Sequence, residues 1–76
     1  MTWFKNTFLK SFETCRAKRI SPKQAGIFEK YLRKHIKEEI NYDNGEKVIY
    51  EFENRVITLE KYSTVCHIDE CYLSIS

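Results

Sequence analysis

The stretch Asn41-Tyr42-Asp43-Asn44-Gly45-Glu46-Lys47-Val48-Ile49-Tyr50-Glu51-Phe52 decides the fold, because the period of the apolar residues changes inside it. Its first five residues break a helix and turn the chain. In the rest, Val48, Tyr50 and Phe52 alternate with Lys47, Ile49 and Glu51. Period two marks a strand with one face buried. Downstream, Glu53-Asn54 reads as a hairpin turn, and Val56 to Tyr62 reads as a second strand rich in β-branched and aromatic residues. Thr64 to Ile68 reads as a third strand and Cys71 to Ile75 as a short fourth.

Upstream the period is helical. Ser21-Pro22-Lys23-Gln24 is a capping box with proline at the first helical position. The helix it opens is predicted to run from Pro22 to about Ile40. Ala25, Phe28, Leu32 and Ile36 form its buried stripe, with Ile27 and Tyr31 beside it. Gly26 inside it suggests a close helix–helix approach. Residues 3–15 read as a first amphipathic helix, since Phe4, Phe8, Phe12 and Cys15 recur on one helical face, widened by Trp3 and Leu9. Such an aromatic face fits a core or a membrane surface. A small domain needs every apolar face it has, so the core is expected. Residues 16–20 then form a short basic connection. The prediction is a single α+β domain over residues 1–76, with two N-terminal helices packed on a three- to four-stranded antiparallel sheet.

Composition narrows the function classes. The 76 residues carry a net charge of +2, and 42% of them are apolar. That is a folded globular chain, not a disordered one. Two glycines leave no phosphate-cradling loop. No apolar run is long enough to span a bilayer. The N-terminal segment lacks the apolar stretch of a secretory signal, so a cytoplasmic location is expected. No nucleophile elbow or metalloprotease motif is present, and no Cys/His pair faces itself across a strand, so catalysis is not expected.

The near-neutral total conceals a split. Residues 1–37 sum to +8 and residues 38–76 to −6. A basic half invites a nucleic acid or an acidic protein surface. On the second helix, Lys23, Lys30, Arg33, Lys34 and Lys37 fall opposite the buried stripe. They are the candidate partner-binding residues.

Three cysteines do not make a fully paired framework, and a reducing compartment is the expectation. If Asp69-Glu70 is a two-residue turn, Cys66 and Cys71 become diagonal neighbours on one sheet face. Cys15 reaches the same point from the end of the first helix. His67 adjoins Cys66 and ligates only if the backbone bends between them. Cys15, Cys66, His67 and Cys71 then form a Cys3His set suited to structural zinc. Buried reduced thiols, or a Cys66–Cys71 disulfide with Cys15 free, are the competing readings.

The early Trp3-Phe4 helix, the Arg19-Ile20-Ser21-Pro22-Lys23-Gln24-Ala25 helix start and the short cysteine-bearing meander resemble small phage and mobile-element proteins. Among these the chain resembles the type II-A anti-CRISPR proteins, compact inhibitors of Cas9, one of which binds a metal. The resemblance implies a non-enzymatic protein that binds Cas9 in the bacterial host cytoplasm and blocks DNA loading or cleavage. Several members are acidic DNA mimics, and the +8 half departs from that pattern. Docking on an acidic or mixed protein surface is the expectation that follows. The alternative is a small regulatory protein that binds nucleic acid through its basic helix.

Overall fold

The computed structural model describes residues 2–64 and 69–76. The capping box forms as its residue types require. Gln24 donates its backbone N–H to Ser21 Oγ at 3.1 Å, and Ser21 donates its own N–H to Gln24 Oε1 at 3.1 Å. These bonds satisfy two of the unpaired donors at a helix start. Helix α1 runs Pro22–Leu32 and closes in a 3-10 turn, Arg33–His35. It therefore ends a full two turns earlier than the apolar spacing predicts. Residues Ile36–Tyr42 are instead strand β2, paired antiparallel with β3, Gly45–Phe52. The turn at 43–44 is thus the tip of a hairpin and not the end of a helix.

The predicted basic connection is also a strand. β1, Cys15–Ile20, pairs antiparallel with β5, Asp69–Ile75. β4 is Arg55–Ser63, joined to β3 through Glu53-Asn54. Both turn residues have positive φ, 52° and 62°. That is the left-handed conformation tight two-residue hairpins use. The fold is α+β, as read, but the antiparallel sheet has five strands, in the order β1-β5-β4-β3-β2. Asp69 and Glu70 are ladder residues of β5, opposite Ser63 and Tyr62, rather than a turn. The third strand predicted at 64–68 falls, beyond Thr64, outside the described residues.

This order places β1 and β2 on opposite edges, so α1 must carry the chain across the whole sheet. Its 11 residues extend about 16 Å. Five strands at their usual spacing span about 19 Å. The 3-10 turn supplies the remainder. Helix and crossing are matched in length, which is why α1 lies over one sheet face and leaves the other open.

The covered face is apolar by alternation. Val48, Tyr50 and Phe52 of β3, Ile57 and Leu59 of β4, and Cys71, Leu73 and Ile75 of β5 are buried. Ala25, Phe28 and Leu32 of α1 meet them. The N-terminal segment is a short helical stretch of about two turns, Phe4–Phe8 in π geometry and Leu9–Ser11 as 3-10. It stops four residues before the predicted end, and Phe12 is already extended at φ −105° and ψ 133°. Its aromatic stripe still enters the core. All five phenylalanines, at 4, 8, 12, 28 and 52, form one cluster with ring centroids 5.0–5.8 Å apart.

Gly26 lies on the exposed side of α1, with nothing within 4 Å of where a Cβ would sit. No helix approaches it, contrary to the sequence-based expectation. A helix-interior glycine with free space is a pure entropic cost. Gly26→Ala is expected to add about 1 kcal/mol of stability. Thermal melting should rise by about 4–8 °C, as a domain of this size responds to such a change. An unchanged or lower melting point would mean the position is covered.

Candidate functional site

The buried stripe of α1 fixes what the helix shows to solvent. With Ala25, Phe28 and Leu32 inward, Lys23, Lys30, Arg33 and Lys34 are exposed. None of the four takes part in an ion pair among the described residues. Lys37 does not belong with them. It lies on β2, where its ammonium is 2.9 Å from Glu51 Oε1, and that partner raises its pKa. The earlier helix end removes it from the cationic face.

Aromatic side chains border this face, a feature the sequence reading assigned to the core alone. Trp3 is 49% exposed. Its ring stacks on Phe8 at 5.4 Å and lies 5.9 Å from Tyr31. Lys30 Nζ sits over the Tyr31 ring, 5.5 Å from its centroid. An indole held between two rings, beside unpaired cations, is preorganised to meet a partner. The sequence carried one signal of this. Trp3 stands at the margin of the Phe4-Phe8-Phe12 stripe, not on its centre line.

Opposite charges hold the layers together at isolated points. Lys61 Nζ of β4 is 2.8 Å from Glu29 Oε1 of α1, and Lys5 is 3.4 Å from Glu53 at the β3–β4 turn. The hydrogen bond from Lys61 to Glu29 holds the lysine pKa above its ordinary value. His35 packs edge-on against Phe52 with centroids 5.0 Å apart. It contributes packing at the end of the core.

The open sheet face is different in character. Tyr42, Tyr62 and Tyr72 lie in sequence across it, with centroids 6.1 and 6.4 Å apart. Tyr62 donates its hydroxyl to Glu60 Oε2 at 2.6 Å, and Tyr72 donates to Glu70 Oε2 at 3.1 Å. Holding its proton for Glu60 pushes the Tyr62 pKa up to about 12. On the covered face Tyr50 reaches about 12 as well, chiefly through burial and then through Glu29, Glu46 and Glu39. Alkaline titration of phenolate absorbance is therefore expected to show both ionising near pH 12 in the native protein. The sign for stability follows from linkage. The unfolded chain releases these protons near pH 10, so their stabilisation is complete below that pH and is lost between about 10 and 12. A single native titration step at the ordinary tyrosine pH would contradict both environments.

Two of the four predicted zinc ligands, Cys15 and Cys71, stand apart. Cys15 pairs with Ile75 and Cys71 pairs with Ile20, at opposite ends of the β1–β5 ladder. Four residues of strand separate the two positions, about 13 Å. Two sulfurs on one zinc must each lie about 2.3 Å from it. Cys15 sits in an edge strand rather than at the end of a helix, and Asp69-Glu70 is part of a strand rather than the expected turn. Cys66 and His67 lie outside the described residues. Cys15 Sγ donates to the Leu73 carbonyl at 3.5 Å. Cys71 is buried, and burial pushes its thiol pKa up. Among the described residues, no group of three His, Cys, Asp or Glu side chains is gathered to hold a metal. Nor is any helix among them long and apolar enough to cross a membrane. Comparison with protein-family models, with curated proteins and with solved structures gives no match to this chain.

Proposed function

We propose that the protein acts without catalysis, by docking on an acidic surface of a protein partner through Trp3, Tyr31 and the cations Lys23, Lys30, Arg33 and Lys34. One observation carries the reading: a half-exposed Trp3, stacked on rings, beside helix cations that make no ion pair among the described residues. Tryptophan, tyrosine and arginine dominate the energetics of protein interfaces. Unpaired cations around them steer an acidic partner and fix its register. The layered fold supports the same reading, since α1 covers one sheet face while the acidic second half supplies most of the sheet.

The resemblance to type II-A anti-CRISPR proteins makes Cas9 the first partner to test, with inhibition of the nuclease as the effect. Zinc has no part in the proposal, because Cys15 and Cys71 stand apart. Trp3 is the single tryptophan of the chain, so its fluorescence reports docking directly. Titration with guide-loaded Cas9 is expected to shift that emission and to slow DNA cleavage. Trp3→Ala should weaken binding about 30-fold, as loss of a 2 kcal/mol hot spot does. Lys30→Glu with Lys34→Glu should slow association most at low salt. Tight, salt-sensitive binding to duplex DNA with no effect on Cas9 would overturn the proposal in favour of a nucleic-acid binder.

A further inference from the structure

A five-stranded open sheet has two edges, and here they differ. The β1 edge is blunted. Its ladder with β5 is irregular between Cys15 and Lys18, and Ala17 is left-handed at φ 51°. The Ala17 amide donates to Ser74 Oγ at 2.9 Å, and Arg16, Lys18 and Arg19 crowd the strand. Bulges and charges are the usual means of closing an edge to other chains.

The β2 edge has no such protection over most of its length. Its register with β3 is continuous from Glu38 opposite Ile49 to Tyr42 opposite Gly45, and the one irregularity lies between Ile36 and Glu38. Among the described residues no strand pairs with its far side. The strand contains no proline or glycine, and all its residues except Ile40 are exposed. Along the five residues Glu38–Tyr42 every second one turns its backbone N–H and C=O away from β3 and offers them to a further strand.

The acids of this edge lie on both faces, and the cation beside it on the open face, Lys47 of β3 opposite Ile40, stands against Glu60 of β4. Glu38 shares the open face with Ile40 and Tyr42, and Glu39 shares the covered face with Val48. Asp43 follows at the hairpin tip. None of the three acids has an ion pair among the described residues, whereas the one nearby cation of the strand, Lys37, is held by Glu51. We infer that β2 is an acceptor edge for an extended basic segment of another protein. The incoming strand would extend the ladder along Glu38–Tyr42 and set lysine or arginine side chains against Glu38 or Glu39. Backbone bonds supply the affinity of strand addition, and alternate side chains supply its specificity. A second copy of this chain fits poorly. Antiparallel overlap of two copies of the regular ladder, Glu38–Tyr42, sets Ile40 against Ile40, Glu38 against Tyr42 and Glu39 against Asn41, so it leaves the acids without a counter-charge that a basic segment supplies. The inference does not rest on the α1 surface, which has the opposite sign and lies on another element.

The test uses the intact protein labelled with ¹⁵N and a blocked peptide of alternating lysine and valine. Amide exchange should slow at alternate residues of Glu38–Tyr42, those whose N–H points away from β3, with little change on α1. The same peptide with glutamate for lysine, or with alternate amides N-methylated, should not bind. Glu38→Lys with Glu39→Lys should weaken binding about tenfold, because whichever face carries the peptide's lysines meets a reversed charge. Both sites are exposed, so its melting point should stay close to that of the parent chain. Binding that survives N-methylation would overturn the inference, because it would be charge attraction without strand addition. So would protection mapping elsewhere, no binding at millimolar peptide, or self-association of the free chain through this edge.

Discussion

Phe28→Ala is expected to leave the protein largely unfolded at room temperature. The Phe28 ring is fully buried, edge-on to Phe4 at 5.8 Å and within 5.0 and 5.3 Å of Phe8 and Phe12. It joins the N-terminal turn to α1, and Phe4 carries that contact on to Phe52 of β3 at 5.8 Å. Truncating a buried phenylalanine to alanine costs about 3–5 kcal/mol. Domains below 80 residues rarely have more than about that in total. Far-UV circular dichroism should therefore show no cooperative melt for the variant. Phe28→Leu keeps most of the volume and should retain a melt, at a cost of about 1.5 kcal/mol or less. The aromatic cluster would not be the core if Phe28→Ala melted within a few degrees of the parent chain.

That cluster was legible in sequence because its signal is doubly local. Phe4, Phe8 and Phe12 recur on one helical face, and the capping box fixes the phase of α1. The strands β3 and β4 were legible for the same reason, since one buried face enforces strict alternation. β2 was misread on physical grounds. Leu32, Ile36 and Ile40 are spaced by four, which fits a helical face and equally fits every second position of a strand. Lysine and glutamate between them favour a helix. The hairpin with β3 decided the outcome, as tertiary pairing overrides such weak preferences. One cue was present: a tight turn at Asp43-Asn44 before an alternating strand calls for a strand on its other side. β1 had no cue of its own. Four of its six residues are exposed in succession, so an edge strand of this kind has no apolar period to read. The placement of Cys15 at a helix end followed from it. On the candidate surface, the sequence placed Lys23, Lys30, Arg33 and Lys34 on the solvent side of the helix and its closing turn, where the structure exposes them. It missed Trp3, because contact between the N-terminal turn and Tyr31 is long-range and no local pattern encodes it.

Gly45→Ala is expected to destabilise the protein by about 2 kcal/mol, opposite in sign to Gly26→Ala. The requirement at Gly45 is space, not backbone freedom, since its φ is not positive. Gly45 pairs with Tyr62 across the β3–β4 ladder, and the Tyr62 ring lies over it. An added Cβ would stand 2.7 Å from Tyr62 Cδ1 and 2.9 Å from Tyr62 Cα, and it would also run into the Lys61 carbonyl oxygen. The ring can turn aside, but the backbone can move only by parting the strands. Overpacking of this kind costs about 1–3 kcal/mol. The restricted unfolded chain returns about 0.4–1 kcal/mol, which is too little to reverse it. Removing the ring as well, in Gly45→Ala with Tyr62→Ala, should not restore stability, because the carbonyl contact remains. The displacement should also be visible without unfolding. With its ring pushed from Gly45, Tyr62 loses its hold on Glu60, and its pKa should fall from about 12 toward the ordinary tyrosine value. The end of β3 that would move is also the one against which Tyr42 closes the β2 edge. Gly45→Ala should therefore weaken the basic peptide at that edge while leaving the Trp3 surface on α1 unaffected. A variant that melted at or above the parent temperature would mean the ladder is more open at this end than the Gly45–Tyr62 pairing requires.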